Sequence, residues 1–143
     1  MAEVRSVQDT TSFGGTGITP IMPYHESGDL LIAIACKGNS TGGDYTCTAG
    51  WTTLGAPYKQ TGCTLGAFYK VASSSSEAAP TLSTTQSAYT VALVIAIKNR
   101  NGRRIDAVWI FSTTYGTSQT QPFTTTENDC LVLSILAVPS ASS

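Results

Sequence analysis

Leu30-Leu31-Ile32-Ala33-Ile34-Ala35-Cys36 is the stretch on which the fold turns. It has no charge and no helix breaker, and it is flanked by turn residues, Ser27-Gly28-Asp29 before and Gly38 after. A run of this length suits a strand, and it is far too short to span a bilayer. It is apolar on both faces. In an all-β setting one face then meets an opposite sheet and the other is covered too, by a loop or by a neighbouring subunit.

Working outward, short β patterns recur between turn clusters. Val4 to Gln8 reads as a short first strand, and Phe13 to Pro23, rich in Gly and Pro, as a loop or extended edge. Gly38 to Gly43 is a turn cluster. Trp51-Thr52-Thr53-Leu54 and Thr64 to Val71 are strands, and Ser73 to Pro80 is a polar surface linker. Thr81 to Thr85 and Tyr89 to Ile97 read as two strands joined by a Gln86-Ser87 turn. Asn101-Gly102 is a strong turn signal within the loop 99–104. Ile105 to Phe111 and Leu131 to Val138 complete the strands, with a polar loop from Thr113 to Gln121 and an extended Pro122 to Thr126 between them. No segment has convincing helical periodicity. The expectation is one domain over 1–143, with an N-terminal strand and arm over 1–27 and a flexible tail over 139–143. Its fold is an all-β, antiparallel, jelly-roll-like sandwich of about eight or nine strands, with a closed barrel as runner-up.

Composition agrees. Apolar residues make up 41% of the 143, enough for a core, while charged residues are only 12%, about half the usual share. The balance is hydroxylic, with 22 Thr and 16 Ser. Thr is β-branched and suits a pleated surface that faces water. A net charge of −1 argues against broad attraction to nucleic acid or to anionic membrane. Met1-Ala2-Glu3-Val4-Arg5 shows no apolar signal-peptide core. Synthesis in a host cytoplasm is therefore expected, with any exit by another route, such as lysis.

Four cysteines, Cys36, Cys47, Cys63 and Cys130, lack the close pairing of zinc sites. Reduced, mostly buried thiols are expected. Cys47 with Cys63, flanking one strand and hairpin, is the pair to test for a disulfide. There is also an internal echo. Ser27-Gly28-Asp29 precedes Leu30 to Ala35 much as Glu127-Asn128-Asp129 precedes Cys130 to Ile135, each placing an Asp where its side chain caps the turn. Chance similarity between two buried strands explains the echo equally well.

A series of segments carries a family likeness: Gly28-Asp29-Leu30-Leu31-Ile32-Ala33, Ala49-Gly50-Trp51-Thr52-Thr53-Leu54-Gly55, Leu65 to Ala72, Ala92 to Ile97, Ile105-Asp106-Ala107, and Thr124 to Val132. In order and spacing it resembles a β-sandwich module common in phage virion proteins and in bacterial surface proteins. The likeness spans roughly Gly28 to Val138. It implies a sandwich fold, a core role for Trp51, and a structural rather than catalytic task. One departure is that longer members continue with further strands beyond the position of Val138. The resemblance then implies a sandwich that closes without them or borrows a strand at an open edge.

Residues with chemical potential are sparse. His25 is the only histidine, and no nucleophile elbow is present. Gly14-Gly15-Thr16-Gly17 lacks the Lys-Ser/Thr of a phosphate loop and reads as a flexible loop. Asp29, Asp106 and Asp129 stand at strand boundaries as turn caps. Glu127 with Asp129 is too small a set to define a cation site. No catalytic, cofactor or metal residues are expected. Lys98, Arg100, Arg103 and Arg104 form a basic knob that reads first as a solvated loop and second as a contact for an acidic protein partner. Tyr45, Tyr58 and Tyr115, in or near loops, suit stacking on a sugar or burial at an interface, and each also fits an ordinary surface tyrosine. Trp109 suits either a core or an interface position.

The expected role is a virion structural protein, a capsid decoration or cement subunit. It would be a homo-oligomer bound to the major capsid protein or other virion proteins, without nucleic-acid or membrane contacts. The alternative is a glycan-binding adhesin module of a tail fibre or bacterial surface protein.

Overall fold

The computed structural model describes residues 3–38, 43–60 and 63–98. They form seven strands: β1 (Glu3–Ile18), β2 (Leu30–Lys37), β3 (Thr46–Cys47), β4 (Thr52–Thr53), β5 (Tyr58–Gln60), β6 (Cys63–Val71) and β7 (Leu82–Lys98). All seven join one antiparallel sheet in the order β1-β7-β2-β6-β4, with β3 on β7 and β5 on β6. The described residues contain no helix. The all-β, antiparallel expectation is thus met by a single sheet. Ile105 to Phe111, Pro122 to Thr126 and Leu131 to Val138, also read as extended segments, lie outside the described residues.

The strand expected from Leu30 to Cys36 is the centre of the sheet, paired along its whole length with β6 on one side and β7 on the other. Alternation splits it cleanly. Leu31, Ala33, Ala35 and Lys37 share one face with Thr64, Gly66 and Phe68 of β6 and with Thr90, Ala92, Val94 and Ala96 of β7. Leu30, Ile32, Ile34 and Cys36 share the other with Leu65, Ala67 and Tyr69, and with Val91, Leu93, Ile95 and Ile97.

The first face is covered from within the chain. Ile18, Tyr45 and Leu82 pack with Ala33, Ala35, Phe68, Ala92 and Val94, and Met22, Cys47 and half-buried Trp51 close over them. Small side chains on this face let the covering segments come close to the sheet backbone. Gly66 shows the limit: a Cβ there would lie 2.6 Å from the Tyr45 Cβ. The second face gathers the bulkier branched residues, with Ile32, Ile34, Ala67, Ile95 and Ile97 buried together and Leu54, Leu65, Tyr69 and Leu93 against them.

Two expectations about the strands are corrected. β1 does not end near Gln8 but runs to Ile18; of the two readings of Phe13 to Pro23 the extended edge holds as far as Ile18, and the Gly14-Gly15-Thr16-Gly17 stretch belongs to a strand rather than a flexible loop. The pairing with β7 shifts register between Ser12 and Gly15 and again between Gly15 and Gly17, and Gly14 has φ +72°. Glycines that read as a loop are here the residues that let a long strand absorb bulges. Likewise Gln86-Ser87 is no turn, because β7 runs unbroken from Leu82 to Lys98. The lost alternation marks the irregular stretch where, on the β1 side, Ser83 to Ala88 spans only Gly15 to Gly17.

Candidate functional site

Three buried or half-buried polar constellations stand out. The first is centred on Lys37, which ends the apolar run in phase with Leu31, Ala33 and Ala35. Its side chain is fully buried (0% exposed). In register, Lys37 lies between Thr64 on β6 and Thr90 on β7, so these three form one cross-strand row. The Lys37 ammonium donates to Thr84 Oγ1 at 2.7 Å, and Thr84 Oγ1 donates to the Gly43 carbonyl at 3.1 Å. Nζ also stands 6.0 Å from the Tyr45 ring centroid, and the Tyr45 hydroxyl shares a 3.2 Å hydrogen bond with Thr90. Burial pushes the Lys37 pKa down, helped by Lys59 and opposed by Asp44, while burial pushes Tyr45 up to about 12. Asp44 and Lys59 pair with each other at 2.8 Å. The cluster gives a polar end to the core.

The second is the turn entering β2. Asp29 Oδ2 accepts the Glu26 amide at 2.8 Å, which is the capping role expected of it. Gly28, at φ +89°, and Asp29 then lock onto Ala72: the Gly28 amide donates to the Ala72 carbonyl and the Ala72 amide to the Asp29 carbonyl, both at 2.8 Å. Arg5 of β1 reaches across, with Nη2 donating to Glu26 Oε2 at 2.7 Å and Nε 2.6 Å from Asp29 Oδ2. Tyr24 donates to Glu26 Oε1 at 2.9 Å, and the guanidinium lies 5.7 Å from the Tyr24 ring centroid. Contact with Asp29 first, and with Glu26 after it, raises the Arg5 pKa further above its ordinary value.

The third joins His25 to the 73–77 segment. His25 is buried, its Nδ1 2.8 Å from the Pro23 carbonyl and its Nε2 accepting the Glu77 amide at 3.1 Å. A carbonyl only accepts and an amide only donates, so these partners fix the neutral tautomer with its proton on Nδ1. The Glu77 carboxylate accepts from Lys70, from the Ser73 amide at 2.6 Å and from the Ser73 hydroxyl at 2.6 Å. Lys70 first, then Ser73, pulls its pKa down to about 2. The segment expected to be a plain polar linker is therefore pinned to the sheet. The three constellations are partnered within the chain and serve as anchors; Lys37, Asp29 and His25 are buried, while Tyr24 and Glu26 at the β2 turn stay exposed.

The outward-facing feature is different. Among the described strands, β1 lies at the end of the order, with β7 as its neighbour. Val4 (opposite Ile97), Val7 (opposite Ile95), Tyr89 and Val91 fall on the second face, and all are exposed. Phe13 is 82% exposed, and its ring centroid is 4.8 Å from that of Tyr89, tilted by 55°. An exposed apolar strip along the outer strand pair is the kind of surface that marks a contact site.

The residues singled out from sequence fare unevenly. Tyr45 is corrected: at 5% exposure it is a core residue, not a surface aromatic, because Gly66 leaves room for its ring against the sheet. Tyr58 lies in β5. Lys98 ends β7 and donates to Glu3 Oε2 at 2.9 Å. Arg100, Arg103, Arg104 and Tyr115 lie outside the described residues, as do Trp109, Asp106, Glu127, Asp129 and Cys130. The Cys47–Cys63 proposal is also corrected. Cys63 stands on the second face, diagonal to Cys36, with the two Sγ atoms 3.2 Å apart, whereas Cys47 packs against the first-face cluster. Cys36, Cys47 and Cys63 are free thiols.

Sequence reasoning missed Lys37 and the Phe13–Tyr89 pair. Lys37 was legible as the next in-phase position after Ala35. Phe13 was hidden by the glycines that follow it. No family model, curated protein or solved structure matches the chain.

Proposed function

We propose that this chain is a bacteriophage virion structural protein, a capsid decoration or cement subunit that binds the major capsid protein lattice as a homo-oligomer and performs no catalysis. The observation that supports this reading is the exposed apolar strip Val4, Val7, Phe13, Tyr89 and Val91 on the outer strand pair. A sheet whose buried Lys37, Asp29 and His25 are hydrogen-bonded within the chain, and which carries an exposed apolar strip, is suited to adhesion rather than turnover. In the same reading a second β layer lies over Ile32 and Ile34 at the centre of the second face and leaves the β1 strip uncovered, making a jelly-roll-like sandwich of eight or nine strands of the kind found in phage virion proteins. The basic stretch Lys98, Arg100, Arg103 and Arg104 then supplies charge contacts to an acidic rim of the partner.

The test is to mix the purified protein with capsids that lack it. Saturable, stoichiometric uptake at lattice symmetry axes is expected, weakened at least tenfold by Phe13→Ala with Tyr89→Ala. No uptake by any capsid of the phage encoding the chain overturns the reading. A second reading, a glycan-binding adhesin module, is favoured by one feature: the exposed, adjacent Phe13 and Tyr89 rings suit stacking on a sugar. Sugar binding lost in the same double variant, without capsid uptake, selects it.

A further inference from the structure

We propose that Cys36 and Cys63 form an oxidisable dithiol that closes into a disulfide joining β2 to β6. The geometry carries this. Cys36 faces Leu65 in the β2–β6 register, and Cys63 is two residues before Leu65, so the two thiols project from the same sheet face as diagonal neighbours. Their sulfur atoms are 3.2 Å apart. A disulfide needs about 2.05 Å, so each sulfur moves only roughly half an ångström, within the reach of a side-chain torsion. Cys36 is half-buried and open to a small reagent, whereas Cys63 is buried. Cys47 lies with the opposite face's cluster, and burial pushes its thiol up to about 11. Within the pair, one S–H hydrogen-bonds the other sulfur. That contact favours the Cys63 thiolate and brings its pKa down to about 7, while Cys36 holds its proton more tightly.

The chemistry balances with a peroxide as oxidant. A thiolate of the pair attacks one peroxide oxygen, the O–O bond breaks, and a sulfenic acid and hydroxide result. The second thiol then attacks the sulfenic sulfur, expelling its oxygen as water. In sum, two S–H groups and one hydrogen peroxide become one disulfide and two waters. A low-molecular-weight disulfide serves equally, leaving as two thiols. The bond would tie the centre of the sheet to the start of β6, where β5 also pairs. This inference is independent of any role in a virion.

The experiment treats the full chain with hydrogen peroxide at increasing ratios, blocks remaining thiols, and maps the linkages by peptide mass spectrometry. The expected result is loss of the mass of two hydrogens, two fewer blockable thiols and a single peptide pair joining Cys36 to Cys63. A reductant should reverse it, and Cys47→Ser should leave it unchanged. A linkage through Cys47 or Cys130 overturns the proposal, as does oxidation to isolated sulfinic acids or a thiol count that does not fall. Because the wild-type map decides the outcome, poor folding of Cys36→Ser or Cys63→Ser does not obscure it.

Discussion

β2 and β1 are both long strands of one sheet, yet they are built on opposite terms. β2 has eight residues, of which only Leu30 and Cys36 escape full burial, and it pairs on both edges. β1 has sixteen residues, of which Ile18 alone is buried, and it stands at the end of the strand order. The central strand answers to packing on two faces, so nearly every position is apolar or small. The outer strand answers to β7's hydrogen bonds and tolerates Ser, Thr, Asp, Gln and three glycines. What it exposes, Val4, Val7 and Phe13, is not needed for the core and is free to serve a contact.

Four substitutions break or sharpen this contrast. The largest effect belongs to the centre: Leu31→Ala removes a fully buried side chain and should cost about 3–5 kcal/mol in denaturant unfolding. A cost below about 1 kcal/mol would mean that β2 is not the core strand. Gly66→Ala should come next. A methyl 2.6 Å from the Tyr45 Cβ forces the covering segment off the sheet, at about 2–3 kcal/mol, and near-ultraviolet dichroism from Tyr45 should change with it.

Glu77→Gln probes the anchored segment at β6's far end. The folded carboxyl has a pKa of about 2 against an ordinary 4.5. Its stabilisation is therefore complete above the ordinary value and is lost as pH falls toward 2. At pH 7 the variant should be about 1 kcal/mol less stable than wild type, and the gap should shrink as pH drops from 4.5 to 2. A gap that stays constant with pH would rule out the ion-paired role. The smallest effect belongs to the outer strand. Phe13→Ala, at an exposed position, should change stability by no more than about 0.5 kcal/mol. A cost above about 2 kcal/mol in the isolated protein would show the ring to be structural and remove it from any contact surface.

Legibility followed burial. β2 was readable because its apolar residues run unbroken from Leu30 to Cys36, and β6 because Leu65, Ala67, Phe68 and Tyr69 cluster in a short segment beside it. β7 was readable at both ends, as strands over Thr81 to Thr85 and Tyr89 to Ile97, but not as one continuous element. Its first half, Leu82 to Tyr89, was split by Gln86-Ser87, because exposed polar residues in an irregular ladder look like a turn to any pattern of periodicity 2. The far half of β1 was left open between a loop and an extended edge for the same reason. Its glycines serve register shifts that exist only once β7 lies beside them. Asp29 was found because its partner is local, three residues back along the chain. Tyr45, Lys37 and the Cys36–Cys63 pair were misread or missed because their partners are distant in sequence.

From composition and pattern alone, an all-β, antiparallel protein centred on Leu30 to Cys36 was determined, since alternation and apolar content are properties of each strand by itself. Tertiary structure alone decided which face each residue meets, that Tyr45 is core, that Lys37 is sealed in a hydroxyl-lined row and that Cys36 rather than Cys47 faces Cys63. Those facts depend on register between strands far apart in the chain. A shift of one residue would send every such side chain to the other face.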